Sequence, residues 1–310
     1  MAVLHTNGLL YDDGYLEGSF YSSTSRAIFA YGSVTGPPIS TSCLINDNGL
    51  MGTNVTGVGT ARGQLGAASY GGDKALFGYG YISNVPSSLK NLVSNIGVVS
   101  ADVTGVGTAR WDLAAAGYGG DKAIFGYGLN NAGTLFSLTN LVSNIGVVAA
   151  DVAGVGTARA KLAAAGYGVD KAIFGYGWTT VVVSMSNLVS NLGVVAADVT
   201  GVGTARQNPA AATYGGDKAI FGYGYTTVNV SMTNLVSNLG VVAADVAGVG
   251  TARYGGSAAM YGGDRAIFAF GFSGTMTNIT NLVSNVGVVS ADVTNTTTTR
   301  ALCAGAGFGA

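Results

Sequence analysis

The chain has 310 residues, of which 51 are glycine, 48% are hydrophobic and only 9% are charged, and its 14 basic and 15 acidic side chains leave a formal net charge of −1. So much apolar residue with so little charge excludes a disordered chain, and the even charge balance excludes nucleic-acid binding by phosphate neutralisation. One histidine (His5), one glutamate (Glu17) and two cysteines (Cys43, Cys303) leave acid-base, metal and nucleophilic chemistry short of parts, so no catalytic residue, metal site or cofactor is expected.

The opening MAVLHTNG has no basic stretch leading into an apolar one, so no secretory signal is visible and synthesis in a cytoplasm is expected. Residues 1–25 are expected to form an arm. Tyr11, Tyr15, Phe20 and Tyr21, interleaved with Asp12, Asp13 and Glu17, make it a candidate docking element. The first strand that matches the later pattern is Ala27–Gly32. From there one unit recurs: the arginine that closes GVGTAR falls at 62, 110, 159, 206 and 253, and Arg300 closes a decayed copy, NTTTTR. In the unit opened by Arg110 four short strands are predicted, at Leu113–Tyr118, Ala123–Tyr127, Thr139–Asn144 and Gly146–Val152. Gly-Gly-Asp between the first two is a hairpin signal, because glycine takes positive φ without steric cost. Frequent glycine and β-branched residues leave no helix, and no apolar run reaches the ~18 residues of a membrane-spanning one. The last segment, Arg300 to Ala310, matches a first strand and stops before its second, whereas Ala27–Gly32 is a second strand without a first. The C-terminal strand is therefore expected to complete the N-terminal blade, with Tyr15–Ser22 as the alternative.

Four strands in each of six units predict an all-β fold, a six-bladed β-propeller of four-stranded blades over residues 26–310, closed by pairing of the N- and C-terminal strands. A 24-stranded transmembrane barrel is the first rival; it would leave little chain for its long loops and would not show a four-strand super-period. An open β-solenoid is the second, and the matching chain ends argue for a ring instead.

Arg110, the run Ala123-Ile-Phe-Gly-Tyr-Gly128 and the Asn140-Leu-Val-Ser-Asn144 segment resemble, in that order, the blade of the kelch repeat. That family carries an arginine ahead of the first strand, a hydrophobic second strand ending in small residues and a later aromatic-polar turn. The late tryptophan of the family and a true Gly-Gly after the second strand are missing, so the chain is kelch-like. The low-charge, nearly identical copies with T-A-R and N-L-V-S-N blocks also resemble, in style, kelch-like repeats of bacteriophage tail and appendage proteins. The resemblance implies a virion component made in a host cytoplasm, contacting other structural subunits or a host-surface glycan; the charge balance and the short apolar runs imply no nucleic acid and no membrane span. A homo-oligomer or a place in a larger assembly is expected, and a stand-alone lectin binding carbohydrate between blades is the alternative.

Repeat positions hold 22 of the 29 charges. Five aspartates, each eight residues before an arginine, are expected to form structural ion pairs in every unit: Asp102 with Arg110, Asp151 with Arg159, Asp198 with Arg206, Asp245 with Arg253 and Asp292 with Arg300. A ring of carboxylates holding a cation is the functional alternative. GYGGDKA lacks the Gly-Lys-Ser/Thr ending of a phosphate loop, the histidine ligands of a copper oxidase are missing, and so are the Ser-x-Asp boxes of a sialidase. The copies differ in two windows: the loop after the second strand and the two residues after each arginine. Both tryptophans fall there. Tyr81, Trp111, Phe136, Trp178, Tyr225 and Tyr254 are the candidate binding face, drift in tolerant loops being the plainer reading. Cys43 and Cys303 are expected to share a blade on non-neighbouring strands as free packed thiols.

Overall fold

The computed structural model describes residues 25–309 except 36 and 84, together with the backbone of a small hairpin, Tyr11–Asp12 with Tyr15–Leu16. The rest of the expected arm, with His5, Asp13, Glu17, Phe20 and Tyr21, lies outside the described residues. The described residues are all β, without a helix, and fall into small antiparallel sheets.

In the unit after Arg110, Ala114–Tyr118 pairs with Lys122–Gly126, and that strand pairs with Thr139–Val142. The same three-strand order holds in the sheets at 66–93, 163–189, 210–236 and 257–283. In the remaining sheet the C-terminal strand Ala304–Phe308 pairs antiparallel with Arg26–Ala30, which pairs in turn with Ser42–Ile45. The chain ends thus complete one sheet.

The fourth strand differs from expectation. Val142 faces Val148 and Thr139 faces Val152, which puts one extra residue on the outer segment and breaks the ladder into two isolated bridges. The buried side chain of Asn140 fills that gap, its Nδ2 donating to the carbonyl of Ala149 and to Asp151. Gly146–Val152 is therefore a bulged edge. Among the described residues a regular fourth strand forms only at Val293–Thr294, against Ile279–Thr280.

The register assigns two ends to each sheet. The hairpin turn 119–121 and the turn 143–147 share one end, the turn end. Arg110, the loop 129–138 and the link 153–158 share the other, the loop end. At the turn end, main-chain bonds tie each sheet to the next: Gly71 N–H donates to Asp121 O, Gly119 to Asp170, Gly168 to Asp217 and Gly215 to Asp264. The series continues with Gly262 donating to Ser25 O and Gly309 to Asp73 O, which returns it to the first turn.

Packing repeats the pattern. The second strands are buried on both faces because each lies between two sheets, and each apolar cluster joins two of them, such as Ile124 and Tyr127 with Leu162 and Phe174. Phe174 reaches back over Gly126, where an added Cβ would lie 2.8 Å from the ring, so the close approach of the two sheets requires glycine there. First strands alternate: Ala116 and Tyr118 are buried in the sheet-to-sheet core, while Ala115 and Gly117 border a channel of about 220 Å³.

One turn is strained. Val169 has a φ of 72°, which a β-branched residue rarely adopts, and 78% of it is exposed. Gly72, Gly120 and Gly216 hold the equivalent positions at 77° to 81°. Val169→Gly is expected to stabilise the protein by about 1 kcal/mol, measured by thermal melting.

Candidate functional site

The six arginines, each fully or almost fully buried, organise the loop end. Arg110 Nε donates to Tyr127 O at 2.7 Å, Nη1 to Thr108 O at 3.0 Å and Nη2 to Asn140 Oδ1 at 2.7 Å. Its guanidinium lies 4.3 Å from the ring centroid of Tyr79 in the preceding sheet. Tyr79 has a φ of 64° and donates its hydroxyl to Val106 O, in the link that leads to the arginine. Link, arginine and two sheets are thereby fixed together, which holds the tyrosine in its left-handed conformation.

The aspartates pair with a different arginine from the one that spacing suggests. Asp151 lies 4.0 Å from Arg110, Asp198 3.9 Å from Arg159 and Asp245 3.9 Å from Arg206, while Asp102 meets Arg62 at 3.7 Å. Asp292 takes the backbone and hydroxyl of Thr251, two residues before Arg253. The reason is topological. Asp151 ends the sheet that Arg110 begins, so residues eight apart straddle the link between two sheets. These contacts are long, and the carboxylates take stronger bonds elsewhere: Asp151 accepts Thr108 N–H at 3.0 Å and Oγ1–H at 2.6 Å, plus Asn140 Nδ2 at 2.9 Å. Burial raises the Asp151 pKa, but the bonds from Thr108 and Asn140 and the charge of Arg110 outweigh it and hold the group below the usual carboxylate range.

The chain-end sheet keeps this socket with two exchanged residues. Cys43 stands opposite Phe29 where Asn140 stands opposite Phe125, and Asn54 takes the place of Asp151. Arg300 Nη2 donates to Asn54 Oδ1 at 2.8 Å, and Asn54 Nδ2 to Thr298 Oγ1 at 2.6 Å, so Asn54 does the work of both. Arg300 itself has an amide rather than Asp292 as its partner. Cys43, on Ser42–Ile45, and Cys303, one residue before the strand Ala304–Phe308 rather than on it, are free and buried, and burial pushes their thiols up to about 11 and about 12.

The sequence-derived binding face also lies at the loop end, in three separate groups. Tyr81 and Trp111 meet in a tilted contact, centroids 4.8 Å apart and ring planes at 34°. Tyr254 meets Tyr225 and Phe272, each at 5.5 Å. The ammonium of Lys161 sits 5.5 Å from the centroid of Trp178. Phe136 stands in its loop, its N–H bonded to Gly128 O and its carbonyl to Arg159 N–H. All six candidates are half-buried. Phe272 belongs with them and was not singled out by the sequence. Its signal is its position, bridged to Tyr254 as Tyr81 is to Gly63 and Trp178 to Ala160.

A polar ring closes the channel between these groups. Asp112 N–H donates to Gln64 O, Lys161 to Asp112, Asn208 to Lys161, Gly255 to Asn208, Leu302 to Gly255 and Gln64 to Leu302, which ends the cycle. All six residues have φ between 50° and 63°. They border a cavity of about 80 Å³. Asp112 is only 6% exposed, and its Oδ2 has no hydrogen-bond partner among the described residues. Burial raises its pKa to about 6 despite the charge of Lys161 and a hydrogen bond from Gln64. These residues fall in the variable window after each arginine, and departure from the repeat is the signal that could have found them.

Among the described residues no three His, Cys, Asp or Glu side chains gather to hold a metal ion, and no helix is long and apolar enough to cross a membrane. No family model matches the chain, and no curated protein sequence matches it.

Proposed function

We propose that the chain is a six-bladed, kelch-like β-propeller acting as a non-catalytic binding and structural module, a virion tail or surface appendage of a bacteriophage that contacts host glycan or a neighbouring subunit. Support for the closed ring comes from the two hydrogen-bond cycles, one at each end of the sheets, and from the sheet shared by the chain ends. The virion setting rests on the resemblance of the repeats and on a net charge near zero, which suits a subunit held in a particle better than a free monomer.

The observation that carries the binding reading is that the aromatic residues breaking the repeat gather at one end of the fold. Trp111 Nε1 and Gln207 Oε1 are buried there without a hydrogen-bond partner among the described residues, a donor and an acceptor beside aromatic faces. Rings with amide and hydroxyl neighbours suit stacking against a sugar and bonding to its hydroxyls. A stand-alone lectin with equivalent sites between all blades is the weaker reading, because Leu129 occupies the place that Tyr81, Trp178, Tyr225 and Phe272 fill in other units. The asymmetry favours unequal sites over six equivalent ones. A glycan array probed with the full chain is expected to show binding that falls at least tenfold in Trp178→Ala or Trp111→Ala. Binding that is unchanged in both variants would remove this end from the account.

A further inference from the structure

We propose that the turn end is a self-docking face on which a second copy of this chain packs back to back, leaving the aromatic end of each copy free. The inference rests on the propeller reading, since it needs the six turn ends to share one face.

The turns at 94–98, 143–147, 190–194, 237–241 and 284–288 are self-contained. In one of them Gly146 N–H donates to Ser143 O, Ser143 N–H donates to Val147 O, and Ser143 Oγ accepts the N–H of Ile145 and of Val147. Gly146, at φ 79°, lies against Tyr70 and Leu92 of the preceding sheet, and Lys90 Nζ donates to its carbonyl. The turn is therefore braced on its inner side and displays its tip outward. At the tips stand Ile96, Ile145, Leu192, Leu239 and Val286, from 66% to 77% exposed, and two residues on come valines that are 55% to 65% exposed. In the chain-end sheet the corresponding turn carries Asn48 at its tip and Leu50, 68% exposed, after it.

Asn48 shows that the fold does not require an apolar tip. Five of six tips are nevertheless large aliphatics in water, at the same position of each turn. Six turns of five residues supply about the 20–30 residues per side that a standard-size interface uses.

Charge selects the occupant. Asp73 pairs with Lys74 at 2.6 Å, Asp121 with Lys122 at 3.0 Å, Asp170 with Lys171 at 2.8 Å and Asp217 with Lys218 at 2.7 Å, all at the turn end, and Asp264 lies 3.7 Å from Arg265. This end carries balanced pairs instead of the basic excess that anionic lipid attracts, and its tips lack the tryptophan and tyrosine of a membrane interface. A copy turned over presents the same neutral, sixfold-repeated annulus, which makes the contact isologous and closed at two copies.

Sedimentation equilibrium on the full chain is expected to give twice the mass of 30.8 kDa at micromolar concentration. The triple variant Ile145→Ser, Leu192→Ser and Leu239→Ser is expected to be monomeric with an unchanged melting temperature, because these side chains are exposed. Trp178→Ala, at the other end, should stay dimeric. A wild type monomeric at 100 µM overturns the proposal. So does a dimer that survives the triple substitution, or flotation of the wild type with vesicles of phosphatidylcholine and phosphatidylglycerol. Glycan binding retained by the monomeric variant separates failure here from failure of the aromatic site.

Discussion

Arg110→Met is expected to lower stability by about 4 kcal/mol, among the largest effects of any single substitution in the chain. Methionine keeps much of the side-chain volume but donates nothing. The carbonyl of Tyr127 and the Oδ1 of Asn140 would lose their donors in the buried part of the site, and the half-buried Thr108 carbonyl would lose its donor too; each buried unsatisfied group costs roughly 1–3 kcal/mol. The stacking on Tyr79 goes as well. In a chain of this size a melting-temperature fall of roughly 8 °C would follow, at about 2 °C per kcal/mol. Asp151→Asn should be milder, about 1 kcal/mol, because that carboxylate is 31% exposed and water can replace part of what it loses. Differential scanning calorimetry of the two variants checks the order. Equal losses would mean that the ion pair, rather than the arginine's neutral bonds, holds the socket.

Asp112→Asn should act in the opposite direction and depend on pH. The folded-state pKa of Asp112 is raised to about 6, above the ~3.9 of an unfolded aspartate, so its favourable contribution is full below about pH 4 and is lost as pH rises through 6. At pH 7.5 the fold therefore carries a buried carboxylate with one unpartnered oxygen, at a cost of roughly 3 kcal/mol. Asparagine removes the charge and keeps the shape. The variant should be about 3 kcal/mol more stable than the wild type at pH 7.5 and within about 0.5 kcal/mol of it at pH 4, by denaturant melts at both. The socket aspartates titrate the other way. Asp102, Asp151, Asp198, Asp245 and Asp292 are held below the ordinary range despite burial, by bonds from the Thr and Asn beside them and by the nearby arginine, so their stabilisation is present above about pH 4 and lost as pH falls further. A variant of Asp112 that gains equally at both values would show that its charge is not the source of the cost.

The repeat made most of the sheet structure legible. Strand boundaries follow from short apolar runs punctuated by Gly-Gly-Asp, and the C-terminal strand's place beside Arg26–Ala30 follows from matching an unpaired first strand to an unpaired second. The outer strand was misread because Gly146–Val152 has strand composition, while the extra residue that breaks its ladder shows only when it is laid against Thr139–Val142. The arginine partners were misread for a related reason. A spacing of eight residues looks local, but the sheet brings Asp151 beside Thr108, 43 residues earlier in the chain. The aromatic face was visible as a departure from the repeat, whereas its division into Tyr81 with Trp111 and Tyr254 with its two neighbours depends on which sheets adjoin. Asp112 was passed over because the sequence gives no measure of burial, and burial is what makes an ordinary surface residue type costly there.

Removing residues 301–310 puts the closed ring to its sharpest test. Those residues supply the first strand of the sheet at 26–45, one member of the polar ring through Leu302 and one turn-end bond through Gly309. If the six sheets form a closed ring, the truncated chain should lose its single cooperative thermal transition and exchange the amides of residues 26–45 and 257–283 rapidly with deuterium. A truncated chain that melts in one transition within about 2 °C of the full-length protein, with those amides still protected, would contradict the closed ring.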